Sequence, residues 1–293
     1  MSEPLLDNDM IRRLEQLMLV TRKTATGRLK GERRSKRRGS SSDFADFRNY
    51  VAGDDLRFLD WNIYGRLNTL FIKLFLEEED LQVYILIDTS LSMASGGPEK
   101  LLYARRVAAA LGYLTMSNMD SLTVHTFGPG ITNTFGPKRG KVNGTRLFNF
   151  LQNVEPEPTT SLTHSLKQFS MQTSSRGIAI VLSDFYDFDG YSEGFRHLFG
   201  RNFEVFAIQI LSPQELNPDH EGDVRLVDCE MGSTTDISMG KTLLDVYNKT
   251  LNTFCEGIRS HVQERGGHYI LTSTDTPFER LILDLLRRQG VVR

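Results

Sequence analysis

Two apolar runs of strand length, Val83–Ile87 (VYILI) and Ile178–Leu182 (IAIVL), are each followed at once by acid-bearing polar residues. A strand sends alternate side chains to opposite faces, so a run apolar at every position must be covered on both sides. That is the condition of a central strand in an α/β sheet. The segments around the two runs read as the cover. Helical spacing predicts an amphipathic helix over 4–20 and a long helix over Glu99–Met116, with Pro98 at a first helical position. Further helices are predicted at Thr145–Val154, Leu162–Gln172, near Tyr191–Phe199, Thr242–Arg265 and Pro277–Arg288. Strands are predicted at Leu70–Leu76, Leu81–Ile87, Leu122–Phe127, Phe203–Ile210 and Tyr269–Thr272, with two short ones near Val224–Cys229 and Thr235–Ser238. The expected fold class is α/β, a doubly wound and mostly parallel sheet. Residues 1–78 are expected to form an N-terminal extension with a basic and aromatic platform, and 79–293 the α/β domain.

Composition excludes several classes. A hydrophobic share of 39% supports a sizeable core, and the longest apolar runs fall far short of the ~20 residues of a membrane-spanning helix. The N-terminus lacks the pattern of a secretory signal. Cys229 and Cys255 have no CxxC spacing, which suits a reducing compartment, so a cytoplasmic location is expected. The net charge of −2 hides an asymmetry: residues 22–38 hold nine Lys/Arg and one Glu, leaving 26 bases against 36 acids elsewhere. No aromatic residues interleave in that block, so a solvated or internally paired arm is expected and nucleic-acid binding is not. No GxxxxGK[ST] loop, GxSxG elbow or HExxH motif occurs.

In a doubly wound sheet ligands bind beyond the carboxyl ends of the strands, so the residues just after the apolar runs carry the chemistry. The first run leads into Asp88-x-Ser90-x-Ser92 and the second into Ser183-Asp184-Phe185. A third loop, Thr159-Thr160-Ser161, precedes a helix. Asp88, Ser90, Ser92, Thr160 and Asp184 offer five oxygen groups and no nitrogen or sulfur. That is a donor set for a hard cation, Mg²⁺ first, with Mn²⁺ or Ca²⁺ as alternatives. Thr159 is a rival to Thr160. Two close carboxylates would repel each other unless a cation lay between them. The bland alternative is that Asp88, Ser90 and Ser92 only stabilise the turn and cap the following helix. A rival chemistry is Mg²⁺-dependent phosphoryl transfer with Asp88 as nucleophile. Such enzymes typically carry a second acid two residues on, where this chain has Ser90.

The DxSxS loop with Thr160 and Asp184 resembles the metal-ion-dependent adhesion site of von Willebrand factor A domains. The upstream residues narrow the likeness. Arg37-Arg38-Gly39-Ser40-Ser41-Ser42-Asp43-Phe44-Ala45-Asp46-Phe47-Arg48-Asn49-Tyr50, then Gly53-Asp54-Asp55-Leu56-Arg57 and Asp60-Trp61, resemble the MoxR-associated, A-domain-like bacterial family called domain of unknown function 58. The resemblance implies that Ser90, Ser92 and Thr160 touch the metal through their hydroxyls, with Asp88 and Asp184 binding it directly or through water. One coordination position would stay open for a partner's acidic residue. It also implies a non-enzymatic protein-interaction module working with a MoxR-type AAA+ ATPase in complex assembly or activation, with no small-molecule substrate. Arg48, Asp54, Asp55, Arg57 and Trp61 are candidate partner-docking residues on the platform. Phe185 stands where A domains usually have Gly, which is expected to narrow access to the site.

Overall fold

A computed structural model describes residues 5–7, 9–15, 44–75, 81–95, 99–218, 222–227 and 234–282. The basic block 22–38, Pro98, Cys229 and the last turns of the closing helix lie outside the described residues. The chain divides into two compact units, residues 23–80 and residues 1–22 with 81–293. The sequence groups the N-terminal segment with the rest of residues 1–78, whereas in the structure it groups with the larger unit. It belongs with the larger unit because Leu5, Leu6 and Leu14 are buried in the same apolar cluster as Val107 and Leu111. Glu15 adds polar ties, accepting from Tyr113 Oη at 2.8 Å and Lys141 Nζ at 2.6 Å.

In the smaller unit, β1 (Phe44–Asn49) and β2 (Phe71–Phe75) pair antiparallel. The stretch expected only as an aromatic platform is therefore in part a strand. The helix α1 (Trp61–Leu67) begins at Asp60, whose Oδ1 accepts from the Asn62 and Ile63 amides at 2.8 and 3.0 Å. A carboxylate at a helix start satisfies otherwise unpaired amides and faces the positive end of the helix dipole. Lys73 lies 3.1 Å from its second oxygen. Both influences hold the Asp60 carboxyl below its ordinary range. Arg48 grips Asp54 with two hydrogen bonds of 2.7 Å, and Arg57 pairs with Asp55.

The larger unit is built on a six-stranded sheet: β3 (Gln82–Asp88), β4 (Ser121–Phe127), β5 (Ile131–Lys138), β6 (Ile178–Ser183), β7 (Glu204–Leu211) and β10 (His268–Ser273). Their order across the sheet is β10-β7-β6-β3-β4-β5, parallel throughout except for β5. The chain starts at β3, moves one way to β4 and β5, then returns to the other side of β3 with β6. The strand order therefore reverses between β3 and β6. A separate antiparallel pair, β8 (Gly222–Val227) with β9 (Thr234–Met239), follows β7.

The alternation expected of doubly covered strands is explicit. Val83, Ile85, Ile87, Ile180 and Leu182 enter one apolar cluster together with residues of α3 (Glu99–Ser117) and α4 (Gly144–Gln152). Tyr84, Leu86, Ala179 and Val181 enter the other. There they meet α5 (Leu162–Gln172), α6 (Ser192–Gly200) and α8 (Lys241–Gln263). Each fully buried aliphatic or aromatic side chain contributes on the order of 1.5–3 kcal/mol through removal from water. Gly177 permits the close approach of β6 to β3, since a Cβ there would lie 2.1 Å from the Gln82 carbonyl oxygen. No helix among the described residues is long and apolar enough to cross a membrane.

Candidate metal centre

The reversal of strand order puts the ends of β3 and β6 side by side, with no loop crossing between them. Asp88 is the last residue of β3 and Ser183 the last of β6, with Asp184 next. The parallel register aligns Ile87 with Leu182, so the polar residues that follow emerge at one level. This places Asp88 beside Ser183: the Ser183 hydroxyl donates to Asp88 Oδ2 at 2.5 Å and its oxygen accepts from the Phe185 amide at 2.8 Å. The other oxygen of Asp88 accepts from the Ser90 amide at 2.9 Å. That closes the turn into the short helix α2 (Leu91–Ala94).

Ser90 and Ser92 bring their Oγ atoms to 2.9 Å of each other. Two ligand oxygens on adjacent corners of a Mg²⁺ octahedron, each ~2.1 Å from the ion, lie ~3.0 Å apart. The two hydroxyls are hydrogen-bonded to each other, and their separation also fits adjacent corners of such an octahedron. Asp88, Ser90, Ser92, Ser183 and Asp184 are all buried. Burial, and after it the negative charge of Asp184, pushes the Asp88 carboxyl up to about 7, although hydrogen bonds from Ser183 and Ser90 pull it down.

Asp184 is paired with a cation. Lys100 Nζ lies 2.9 Å from Asp184 Oδ2 and 2.6 Å from Glu215 Oε1, with the Tyr186 ring 5.7 Å away. Burial lowers the ammonium's pKa, but Asp184 and Glu215 more than offset it, and the group sits above its ordinary value. The other Asp184 oxygen accepts from the Tyr186 amide at 3.1 Å, and the Asp184 carbonyl accepts from Gln209 Nε2 at 2.9 Å. Glu215 is itself held by a reciprocal cap with Ser212 at the start of α7 (Pro213–Leu216).

The third loop runs beside the first. Glu157 N donates to the Thr89 carbonyl at 2.6 Å and forms a parallel bridge with Ser90. Thr160 is half-buried, and its hydroxyl faces the Gly128 carbonyl at 3.5 Å, while Thr159 is exposed. Thus Asp88, Ser90 and Ser92 are directly linked, Asp184 adjoins them through Ser183, and Thr160 is a neighbour whose oxygen is turned toward Gly128. Among the described residues no three His, Cys, Asp or Glu side chains gather as metal ligands, so an ion here would depend on hydroxyls. The platform residues Arg48, Asp54, Asp55, Arg57 and Trp61 belong to the smaller unit. Four of them are joined in the ion pairs described above, and the Trp61 ring is 64% exposed.

Phe185 departs from the expectation that it narrows access. Its backbone has φ +62°, the left-handed region that favours glycine, and its ring is buried against Phe195 at 5.6 Å. The conformation usual for Gly is retained, and the side chain is used in the core.

Lys100, Ser183 and Glu215 are the residues that spacing alone did not single out. Lys100 had a signal. It lies in helical register with Tyr103, Ala104, Val107, Leu111 and Leu114, all buried, and a lysine at the head of an apolar stripe demands an anion.

The fold and site define an open, doubly wound α/β domain with an oxygen-lined, charge-rich centre at its switch point. A family model described as "Protein of unknown function DUF58" matches residues 46–252, and the chain belongs to that family. Uncharacterized proteins of Mycobacterium bovis and Mycobacterium tuberculosis are 24% identical to it over 287 residues, covering 95% of this chain and 90% of theirs. Among solved structures, BatB from Bacteroides thetaiotaomicron aligns over 70% of this chain and 97% of its own, at 14% identity and TM-score 0.45. Proximal thread matrix protein 1 from the mussel byssus, with a zinc-occupied MIDAS motif, aligns over 71% of this chain and 45% of its own. Its identity is 14% and its TM-score 0.44.

Proposed function

We propose that this chain is a metal-dependent protein-interaction module whose centre at Asp88, Ser90 and Ser92 holds a divalent cation, Mg²⁺ first, and captures a carboxylate from a partner. The observation that carries this is the 2.9 Å pair of serine hydroxyls set beside the buried carboxylate of Asp88 at the switch point of the sheet. A bound ion would supply positive charge and an open coordination position. The chain's residues do the rest. The Ser90 amide and Ser183 hydroxyl orient Asp88, and neutral hydroxyls would leave charge for an incoming carboxylate. Thr160 joins the ligand set in this proposal by turning its hydroxyl from Gly128, and Asp184 joins it directly or through water. The partner we propose is a MoxR-type AAA+ ATPase, or an acidic protein ligand that the two handle together in the cytoplasm, as the family resemblance suggests.

Phosphoryl transfer from Asp88 is less well supported, because Ser90 stands two residues on, where such enzymes typically carry a second acid. Calorimetry with Mg²⁺ on the wild type and Asp88→Ala, with pull-downs from native lysate with and without EDTA, tests the proposal. The expected result is Mg²⁺ uptake and EDTA-sensitive capture, both lost in a folded Asp88→Ala protein. Equal Mg²⁺ binding by the two proteins would overturn the site assignment.

A further inference from the structure

We infer that Lys100 is a resident counter-cation of the centre, whose ammonium holds Asp184 in the ion-free protein and competes with a divalent ion for that carboxylate. The inference rests on the metal reading of Asp88, Ser90 and Ser92 and goes beyond it by assigning a residue that tunes the ion's affinity.

Three observations support it. First, the lysine is 3% exposed, and its ammonium lies between two carboxylates at 2.9 and 2.6 Å. A buried ammonium so placed is a built partner and not a passing surface contact. Second, both anchors are held independently. Tyr186 N donates to the far oxygen of Asp184, and Glu215 is fixed by its reciprocal cap with Ser212 and by Tyr247 Oη donating to its carbonyl at 2.7 Å. Third, compensation is one-sided. Asp184 has a cation, whereas among the described residues Asp88 has only the neutral donors Ser183 and Ser90. A divalent ion arriving at Ser90 and Ser92 meets one carboxylate held only by neutral donors and one already claimed by an ammonium. It must either share Asp184 with the ammonium or displace it.

The test is Mg²⁺ calorimetry and thermal melting on the full chain with Lys100→Met, an apolar side chain of similar length. Lys100→Gln serves where the first variant does not fold without ion. The expected result is a lower melting temperature than wild type in EDTA, together with Mg²⁺ affinity raised by at least about tenfold, as loss of a nearby like charge in a partly dry site predicts. Adding Asp88→Ala to either variant should abolish the gain. Uptake by the variants where wild type shows none would also support the inference. Unchanged or weaker affinity in both variants, with wild type binding, would overturn the inference and leave the metal reading intact. A gain that survives Asp88→Ala would overturn it too, because the ion would then sit between Asp184 and Glu215. No Mg²⁺ uptake by wild type or either variant would remove the metal reading and this inference together.

Discussion

Asp88→Asn should make the ion-free protein more stable while destroying its response to Mg²⁺. The wild-type carboxyl is raised from 3.8 to about 7, first by burial and then by Asp184. A group whose folded pKa is raised contributes stability that is fully present below the unfolded pKa and lost as pH rises through the folded one. For Asp88 that loss runs from about pH 4 to about pH 7, and it amounts to roughly 4 kcal/mol at pH 8. Asparagine removes the charge but keeps the shape. It weakens the acceptor for the Ser90 amide and requires the Ser183 hydroxyl to turn, at about 1 kcal/mol each. The net expectation in EDTA is an Asp88→Asn protein about 2 kcal/mol more stable than wild type at pH 8, with the advantage gone near pH 5. Saturating Mg²⁺ should then reverse the order, since an ion at a hundred times its Kd adds ~2.7 kcal/mol to wild type alone. Denaturant unfolding at the two pH values, with EDTA or Mg²⁺, reads both effects. A variant less stable than wild type in EDTA at pH 8, or one stabilised by Mg²⁺ to the same degree, would refute the reasoning.

Two further expectations concern the scaffold. Gly177→Ala should cost about 2–4 kcal/mol in denaturant unfolding, because its Cβ would meet the Gln82 carbonyl at 2.1 Å and backbone cannot swing aside. Gly177 precedes β6 at the end of the sheet opposite the proposed metal centre, so any Mg²⁺ affinity of the folded variant should match that of wild type. Burial pushes the His125 imidazole down to about 4. Its unfolded form therefore takes up protons first, and stability should fall as pH drops from about 6.5 toward 4, by on the order of 1–2 kcal/mol for this half-buried ring. His125→Gln, which keeps a partner for Thr134 Oγ1 at 2.9 Å, should flatten that part of the pH profile. An unchanged profile would show that the ring titrates freely.

The central sheet was legible because its strands satisfy two constraints at once. Val83–Ile87 and Ile178–Leu182 are apolar at every position, and only a strand covered on both faces tolerates that. The edge was not legible for the converse reason. β5 reads ITNTFGPK, mostly exposed and interrupted by Gly136-Pro137, so it lacks both an apolar run and clean alternation. Proline is admitted there because an edge strand has amides that need no ladder partner. β1 escaped similarly: FADFRN resembles a strand only once β2 lies against it, and the pair contains a register shift between Phe44 and Asp46.

At the centre, spacing located the oxygens but not the charge balance. Asp88, Ser90 and Ser92 are two residues apart, so a single turn presents them together, and local chemistry suffices to foresee their union. Asp184 is 84 residues from the lysine that neutralises it, and Glu215 is 115 residues from that same lysine. Only the strand order, β6 beside β3 and β7 beside β6, brings these groups into one buried volume. Thr160 illustrates the complementary limit. Its loop lies beside the first, stitched to Thr89 and Ser90 through Glu157, yet its hydroxyl is turned toward the Gly128 carbonyl, which also accepts from the Ser161 amide and the Ser165 hydroxyl. A neutral hydroxyl is held by about a kilocalorie and reorients when a stronger partner arrives. A buried ammonium between two carboxylates does not. Under the metal reading proposed above, the serine and threonine hydroxyls would therefore redirect easily, and the resistance to an incoming ion would reside in Lys100.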